Sequence, residues 1–237
     1  MAFRELIKSG LEEAGMEIGE EQSADIEIFQ RELLIYNEKV NLTAITSQED
    51  FAIKHVVDSL LLFKYVDIPQ KARVIDVGSG PGIPGILLKL YRKDITLTLV
   101  ESVRKKTDFI EQFVQKMNLM NVAVVNERAE TAAGDPAHRN SYDIAVARAV
   151  SSLRVLSELC IPFLKMKGLF IAMKGRQSEK EIAEAQRAIK TLGAEIEREW
   201  DYTLRGDMER KLVVIRKILA TPEKYPRKPG VPAKNPL

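Results

Sequence analysis

The chain has few of the residues that build disulfide or zinc frameworks. It contains one cysteine and two histidines in 237 residues. Cys160 has no intramolecular partner for a disulfide, and Cys160, His55 and His138 together are too few for a zinc site of the usual kind. No apolar run approaches the roughly 20 residues of a membrane helix, and the N-terminal segment lacks the apolar region of a signal peptide. The sequence therefore predicts a cytoplasmic protein that binds neither metal nor membrane.

Charge is unevenly distributed along the chain. The net charge is only +2, and 45% hydrophobic residues with 30% charged residues are ordinary for a globular protein. Residues 211–237 contain seven lysines and arginines but only one acid, Glu223, which makes this segment +6 and the remainder −4. A basic terminus on a mildly acidic body favours a polyanionic partner. The alternative is a solvated basic tail.

A glycine-rich segment follows a short apolar run that begins at Arg73. It has four glycines in eight residues, Gly78, Gly80, Gly82 and Gly85, and then apolar residues at helical spacing. This pattern predicts a strand, a tight turn and a helix. Glycine permits positive φ and close approach of a ligand to the backbone, and the N–H groups at a helix start favour negative charge.

Two cofactors fit this turn. Gly80–Gly85 matches the dinucleotide pattern G-x-G-x-x-G, whereas Gly78–Gly82 preceded by Asp76 resembles the first motif of S-adenosylmethionine-dependent methyltransferases. Asp76 favours the second interpretation, because it ends the strand, where it would lie near a cationic amino-acid moiety. A strand, turn and helix without a ligand is a third interpretation.

The periodicity divides the chain into three parts. Residues 1–68 are predicted to be a helical cap, 69–219 the main domain, and 220–237 a basic, proline-rich tail packed on or near that domain. We predict strands at 73–77, 95–100, 122–126, 142–147 and 168–173, with helices at 83–92, 103–118, 151–165 and 177–192. Two further strands, 194–204 and 209–218, form an antiparallel hairpin at the sheet edge. The fold class is therefore α/β, with a Rossmann-like, seven-stranded, mostly parallel sheet of the class I methyltransferase type.

Acidic residues follow two of these strands. Glu101 ends the second strand, where an acid in doubly wound folds reaches the ribose diol of a nucleoside; an ordinary strand-end acid is the alternative. Ala129, after the third strand, leaves room for a flat ring, and Glu130 or the nearby backbone would bond the adenine amino group. The alternative is a helix start with acids in its first turn.

Arg148 ends the fourth strand and faces the ligand crevice. It would hold guanine O6, a phosphate or the cofactor. The segment lacks the Asn-Pro-Pro element of many amino-directed methyltransferases, and Cys160 lies in an apolar helix, which disfavours cytosine C5 chemistry. Guanine N7 needs no proton removed, so it remains as a target, and no catalytic residue is predicted.

Other polar groups have weaker assignments. His55, Asp58 and Ser59 share a helical face. They form either a polar patch that faces a substrate or a His–Asp pair that orders the interface with the main domain, and we favour the second role. Arg104–Lys106 and Lys174–Arg176 are basic elements beside the crevice that suit anion contacts.

The chain resembles the bacterial small-subunit rRNA guanine-N7 methyltransferases, the glucose-inhibited division protein B family. The resemblance rests on segments 36–43, 55–60, 74–85, 100–106, 128–130, 142–149 and 224–230. It implies transfer of a methyl group from S-adenosylmethionine to N7 of one guanosine of 16S rRNA. We expect S-adenosylhomocysteine as the product, 16S rRNA or the 30S particle as the partner, and a monomeric protein. The resemblance also implies that Gly78, Ile83, Ala129 with Glu130, and Arg148 contact the cofactor.

Two other functions remain as hypotheses. One is an NAD-dependent oxidoreductase that uses Gly80–Gly85 and Glu101. The other is a non-catalytic ribosome assembly factor that keeps the fold. In the main hypothesis, the helical cap, Arg104–Lys106 and the basic tail flank the crevice and engage RNA phosphates. The tail residues expected to do so are Lys224, Arg227 and Lys228.

Overall fold

A computed structural model describes residues 2–148, 151–175 and 178–237. Ala149 and Arg176, which the sequence analysis assigned to the fourth-strand motif and a basic element, lie outside the described residues. The strands are β1 (Arg73–Val77), β2 (Thr96–Val100), β3 (Val122–Val125), β4 (Tyr142–Arg148), β5 (Leu164–Gly175), β6 (Ala194–Leu204) and β7 (Met208–Lys217). They form one sheet in the order β3-β2-β1-β4-β5-β7-β6.

The topology confirms the predicted fold class. Strands β1 to β5 pair in parallel, and β7 inserts antiparallel between β5 and β6. The central strand β1 is apolar on both faces, with Val74, Ile75 and Val77 almost fully buried, as expected where helices cover both sides of a parallel sheet.

The helices are α1 (Phe3–Glu12), α2 (Glu20–Asn37), α3 (Gln48–Asp50), α4 (Asp58–Leu60), α5 (Leu62–Tyr65), α6 (Gly85–Tyr91), α7 (Arg104–Lys116), α8 (Ala129–Ala132), α9 (Leu153–Cys160), α10 (Ser178–Thr191) and α11 (Val231–Lys234). A π-helix, Phe51–Val57, joins α3 to α4, and a 3₁₀ turn, Ile161–Phe163, follows α9. None of the helices in the described ranges has the length and apolarity to cross a bilayer.

Helix α9 is shorter than the predicted helix 151–165. Proline has no N–H to donate and clashes within a helix interior, so Pro162 lies in the 3₁₀ turn after Cys160. Strand β5 then begins at Leu164, four residues before the predicted start at 168. The predicted bounds were wrong here because Pro162 ends the helix, although apolar side chains continue at helical spacing beyond it.

The segment after Ser47 begins as predicted and then departs from an α-helix. The backbone N–H of Asp50 donates to the Ser47 hydroxyl at 3.1 Å, which caps the helix start. Residues Phe51–Val57 nevertheless adopt the wider π-helical turn. Such turns are rare and occur frequently at functional sites. This turn determines where the carbonyl of Lys54 and the ring of His55 lie.

Two hydrophobic clusters cover the two faces of the sheet. One combines the N-terminal helices, including Phe3, Phe29 and Phe51, with β-strand residues such as Leu97. The other lies under α9 and α10 and includes Tyr225 of the tail. The N-terminal helices therefore bury their apolar side chains in a cluster that they share with one face of the sheet.

Register places the ends of β1, β2 and β4 side by side. Val77 pairs with Val100 and Asp76 pairs with Val146. The residues that follow these strands consequently meet at one edge of the sheet, where ligands bind in open α/β folds.

Candidate functional site

A cavity of about 610 Å³ opens at this edge of the sheet. Its walls come from the loop after β1, the end of β2, the start of α8, the end of β4 and the C-terminal tail. The predicted site residues that line it are Gly78, Gly80, Ile83, Glu101, Ala129, Glu130 and Arg148. The structure therefore brings together seven of the residues that sequence reasoning selected; Asp76 is the exception.

The glycine loop is shaped by positive backbone angles. Gly78 has φ +72° and Gly80 has φ +56°, values that residues other than glycine rarely adopt. The backbone N–H of Gly78 donates to the Val100 carbonyl at 2.8 Å, which ties the loop to β2. A Cβ on Gly80 would meet no described atom within 4 Å. The loop thus leaves open space at Gly80, on the wall of the cavity.

Glu101 connects β2 to the loop. Its carboxylate accepts the backbone N–H of Gly80 at 2.9 Å on Oε2 and that of Val103 at 2.8 Å on Oε1. Each carboxylate oxygen has two lone-pair sites, so both oxygens retain one acceptor position. Glu101 can therefore hold the loop and still accept hydroxyl groups from a ligand.

Asp76 lies beneath the loop and does not line the cavity. Its Oδ2 accepts the backbone N–H of Gly85 at 2.7 Å, and its side chain is almost fully buried. A Cβ on Gly85 would lie 2.8 Å from the same oxygen, so glycine is needed there for close packing. The Oδ1 of Asp76 has no hydrogen-bond partner among the described residues, and the predicted contact of Asp76 with a bound cationic group stays a prediction.

Burial raises the pKa of Asp76 from 3.8 to about 7. The Gly85 hydrogen bond and the charge of Arg148 lower this pKa in part, and Glu101 raises it further. In the folded protein the carboxyl group therefore binds its proton more tightly than in the unfolded chain.

Arg148 is held by the π-helix. Its Nη1 donates to the Lys54 carbonyl oxygen at 2.7 Å, and its Nη2 donates to His55 Nδ1 at 2.8 Å. Because a guanidinium only donates, Nδ1 must accept, and the ring proton is on Nε2, which lies 3.0 Å from the Thr43 hydroxyl. Burial, with the nearby charge of Arg148, lowers the pKa of His55 to about 3. His55 is thus a neutral ring that fixes the guanidinium.

Asp58 provides the counter-charge in this network. Its Oδ2 lies 3.4 Å from Arg148 Nη1 and 3.7 Å from Arg210 Nε, and its Oδ1 accepts the Tyr202 hydroxyl at 2.8 Å. His55 and Asp58 therefore join the N-terminal helices to β4, β6 and β7, whereas the Ser59 hydroxyl donates to the His55 carbonyl oxygen within the same helical segment at 2.6 Å. This confirms the interface role that the sequence favoured, and His55 also lines the cavity.

The C-terminal tail lies beside the cavity and forms part of its wall through residues that sequence reasoning did not select. Gly230 and Ala233 line the cavity, and the backbone N–H of Gly230 donates to Glu130 Oε1 at 2.8 Å. One oxygen of Glu130 therefore already binds the tail, and the predicted adenine contact must use its other acceptor positions or the backbone.

An ion pair anchors the tail to α9. Glu158 Oε2 accepts from Arg227 Nη2 at 2.6 Å, and Oε1 accepts from Nε at 2.9 Å and from the backbone N–H of Arg227 at 2.8 Å. The Glu158 side chain is only 1% exposed. A signal for this anchor was present in the sequence, because an acid within the apolar stretch around Cys160 needs a buried partner.

The basic terminus, residues 211–237, is partly neutralised within the fold. Lys211 pairs with Asp201 at 2.7 Å, Arg216 pairs with Glu197, and Arg227 pairs with Glu158. Lys217 is buried, and burial lowers its pKa to about 8. Lys224, Lys228 and Lys234 remain exposed. Arg227 uses Nε and Nη2 on Glu158, and the expectation that it contacts RNA stays a prediction.

No group of three or more potential metal ligands among His, Cys, Asp and Glu converges within residues 2–148, 151–175 and 178–237. Of the two basic elements named above, Arg104 pairs with Asp108 at 2.6 Å, and Lys106 lines the cavity. Lys174 pairs with Glu181 at 2.7 Å.

Comparison with known proteins identifies close relatives. A family model described as rRNA small subunit methyltransferase G, GidB, matches residues 22–203. The ribosomal RNA small subunit methyltransferase G of Alkaliphilus metalliredigens is 42% identical over the whole of both chains. The Bacillus subtilis protein of the same name is 41% identical over 97% of this chain and 96% of its own.

Solved structures with low sequence identity share the fold. The [4+2]-cyclase SpnF has a TM-score of 0.60 at 14% identity, covering 84% of this chain and 97% of its own. A putative RNA methyltransferase from Pyrococcus horikoshii has a TM-score of 0.53 at 12% identity, covering 81% and 100%. TYW2 of M. jannaschii in complex with AdoMet has a TM-score of 0.52 at 14% identity, covering 63% and 70%.

Replacement of Arg227 by alanine should remove the ion pair that holds the tail against α9. The variant leaves the carboxylate of Glu158 buried without its ion-pair partner, which we expect to cost about 3 kcal/mol of unfolding free energy. Urea titration measures this loss. Lys224→Ala is the matched control, because Lys224 is exposed and should change stability by less than about 0.5 kcal/mol. Equal stability of the two variants would contradict the anchoring role.

Replacement of Asp76 by asparagine should change how stability depends on pH. With a folded pKa of about 7 against 3.8, the wild-type protein loses stability as pH rises through this interval, by up to about 1.4 kcal/mol per pH unit. Asparagine keeps an acceptor for the N–H of Gly85 and does not titrate. The stability of Asp76→Asn relative to wild type should therefore rise between pH 4 and 7 and level off above pH 8. Parallel stability curves would show that Asp76 has an ordinary pKa.

Proposed function

Since the chain belongs to the rRNA small subunit methyltransferase G family, we propose that it transfers a methyl group from S-adenosylmethionine to N7 of one guanosine in 16S rRNA. One observation carries the choice of target atom. His55, the histidine beside the cavity, has both ring nitrogens engaged, by Arg148 and by Thr43. It therefore has no lone pair for removing a proton from an acceptor.

Guanine N7 suits a site whose histidine is not free to act as a base. Its lone pair is exposed, and no proton has to leave when a methyl group is added. The demands on the protein are then alignment of the two reactants and exclusion of water. Leu42, Val155 and Leu159 contribute apolar side chains to the cavity wall and serve the second demand.

The cavity suits S-adenosylmethionine in size and in chemistry. Its volume lies within the range of about 300–1,000 Å³ that is usual for small-molecule sites, and Gly80 leaves the space that a side chain would fill. When bound, this cofactor supplies an electrophilic methyl group on a positively charged sulfur.

We assign the binding roles from the geometry of the walls. Gly78 and Gly80 admit the amino-acid portion close to the backbone, and Glu101 accepts the ribose hydroxyls through its remaining lone pairs. Ile83 and Ala129 line the space for the adenine, with Glu130 and its backbone beside it. Arg148 fixes the methyl-bearing end of the crevice, because the π-helix holds its guanidinium in one orientation. Asp76 supports the loop from below.

The acceptor is the 16S rRNA, free or within the 30S particle, and the protein acts on it in the cytoplasm as a monomer. The printed names of the relatives support a ribosomal RNA of the small subunit as substrate. The exposed lysines of the tail, Lys224 and Lys228, remain available for RNA phosphates.

The reaction is tested by nucleoside analysis of 16S rRNA. Cells without this protein should lose one 7-methylguanosine per 16S rRNA, and expression of the wild-type chain should restore it. Purified protein should transfer labelled methyl groups to 16S rRNA or 30S particles from those cells. Undiminished 7-methylguanosine would overturn the assignment, and binding of rRNA without methyl transfer would favour a non-catalytic assembly factor.

The cofactor is tested by calorimetric titration with S-adenosylhomocysteine and with NAD. We expect binding of the former, weakened about 10- to 100-fold by Glu101→Ala, because charge-assisted hydrogen bonds contribute roughly 1.5–3 kcal/mol. Glu111→Ala is the control, since it removes an equal charge from an exposed pair with Arg104. Tight NAD binding without S-adenosylhomocysteine binding would instead support the oxidoreductase.

A further inference from the structure

A second cavity of about 400 Å³ lies on the other side of Arg148. Its lining includes Lys54, His55, Asp58, Arg148, Met173 and Arg210. His55 and Arg148 also line the larger cavity. The two cavities therefore share His55 and Arg148 as part of their walls.

The second cavity occupies the same edge of the sheet. Met173 is near the carboxyl end of β5, and Arg210 of β7 pairs with Gly175 of β5. Arg148 ends β4, which lies between β1 and β5 in the sheet. The two cavities thus follow one another along the edge where the parallel strands end, with Arg148 between them.

The charges in this cavity favour one anion. Arg148 and Arg210 share a single carboxylate, that of Asp58, at 3.4 and 3.7 Å. Lys54 pairs with Asp50 at 2.8 Å in a pair whose members are 33% and 47% exposed, and such exposed pairs exchange partners at little cost. Lys174 is neutralised by Glu181. Among the described residues that line the cavity, one positive charge in excess therefore remains around Asp58, which matches one phosphate group.

The remaining surface suits a flat ring. Ile45 and Met173 supply apolar atoms to the lining, and Met173 is buried while its neighbour Lys174 is partly exposed. Within the described part of the chain, the Arg210 guanidinium makes one hydrogen bond, from Nη1 to the Glu209 carbonyl oxygen. A guanidinium has five N–H donors, so Arg210 retains donors for a phosphate or for a ring oxygen.

We propose that the second cavity receives the target guanosine of the rRNA, extruded from its helix or loop, with the base toward Arg148 and His55 and its phosphate at Lys54 and Arg210. This inference rests on the proposed function, because it places the acceptor beside the methyl donor. Enzymes that modify a base commonly extrude it into such a pocket, and the volume is sufficient for one nucleotide unit.

The proposal predicts a separation of acceptor binding from cofactor binding. Arg210→Ala should raise KM for methyl transfer to 16S rRNA about tenfold and reduce the salt dependence of RNA binding by about one unit of slope or less. Its affinity for S-adenosylhomocysteine should remain that of the wild type. Lys54→Gln, which keeps the backbone carbonyl that binds Arg148, should act in the same direction.

Arg216→Ala is the matched control. Arg216 is on the same strand and the same face as Arg210, because the two are an even number of residues apart, but it pairs with Glu197 toward the opposite end of the strand. The control removes the same charge, so a general effect of net charge on RNA binding would appear in both variants.

A second measurement does not depend on catalysis. With S-adenosylhomocysteine saturating, 5′-GMP is titrated into the protein and followed by the methyl NMR signal of Met173. We expect millimolar binding by the wild type and Arg216→Ala, and at least fivefold weaker binding by Arg210→Ala and Lys54→Gln.

The two measurements separate the two hypotheses. A wild-type protein that transfers no methyl group contradicts the proposed function. The GMP titration still decides whether the second cavity binds a guanine nucleotide. If the wild type methylates rRNA, but Arg210→Ala and Lys54→Gln match Arg216→Ala in KM and in GMP binding, the second cavity is not the acceptor site. A loss of S-adenosylhomocysteine affinity equal to the rise in KM would also overturn it, since the residues would then act through the cofactor site.

Discussion

The buried guanidinium of Arg148 is the interaction on which the arrangement of the site depends. A cation in this position must be satisfied by hydrogen bonds and a counter-charge, and the partners come from separate parts of the chain: Lys54 and His55 from the π-helix and Asp58 from α4. The same requirement joins the N-terminal helices to the end of β4 and determines the boundary between the two cavities. Packing of the apolar helix faces brings these elements together, and the polar network specifies their relative position.

Much of the architecture could be predicted because it follows from local rules. Alternating apolar runs and helical periodicity gave the seven strands, and glycines with an acid at Glu101 marked the edge where a ligand binds. What could not be predicted depends on contacts between distant residues. The position of Asp76 depends on the hydrogen bond that it accepts from Gly85, which is nine residues away. The ion pair of Arg227 depends on the burial of Glu158 on α9. The shortened α9 is a different case, since Pro162 was visible in the sequence.

The C-terminal tail shows why composition alone misassigns a basic segment. Its positive charge suggested a surface for a polyanion, but Arg227 balances Glu158 of the main domain, and the tail backbone completes the cavity wall at Gly230. The segment is therefore part of the site's architecture, and its exposed lysines, Lys224, Lys228 and Lys234, are the charges that a partner meets. Net charge describes the balance of a segment, whereas ion pairs decide which of its charges a partner meets.

The π-helix at Phe51–Val57 has a consequence for changes in chain length. A π-helical turn accommodates an extra residue relative to an α-helix, and one residue corresponds to a rotation of about 100° around a helix axis. Deletion of a single residue here would allow an ordinary α-helix but would rotate Lys54 and His55 away from Arg148. Homologous chains should therefore keep a fixed number of residues between Ser47 and Asp58.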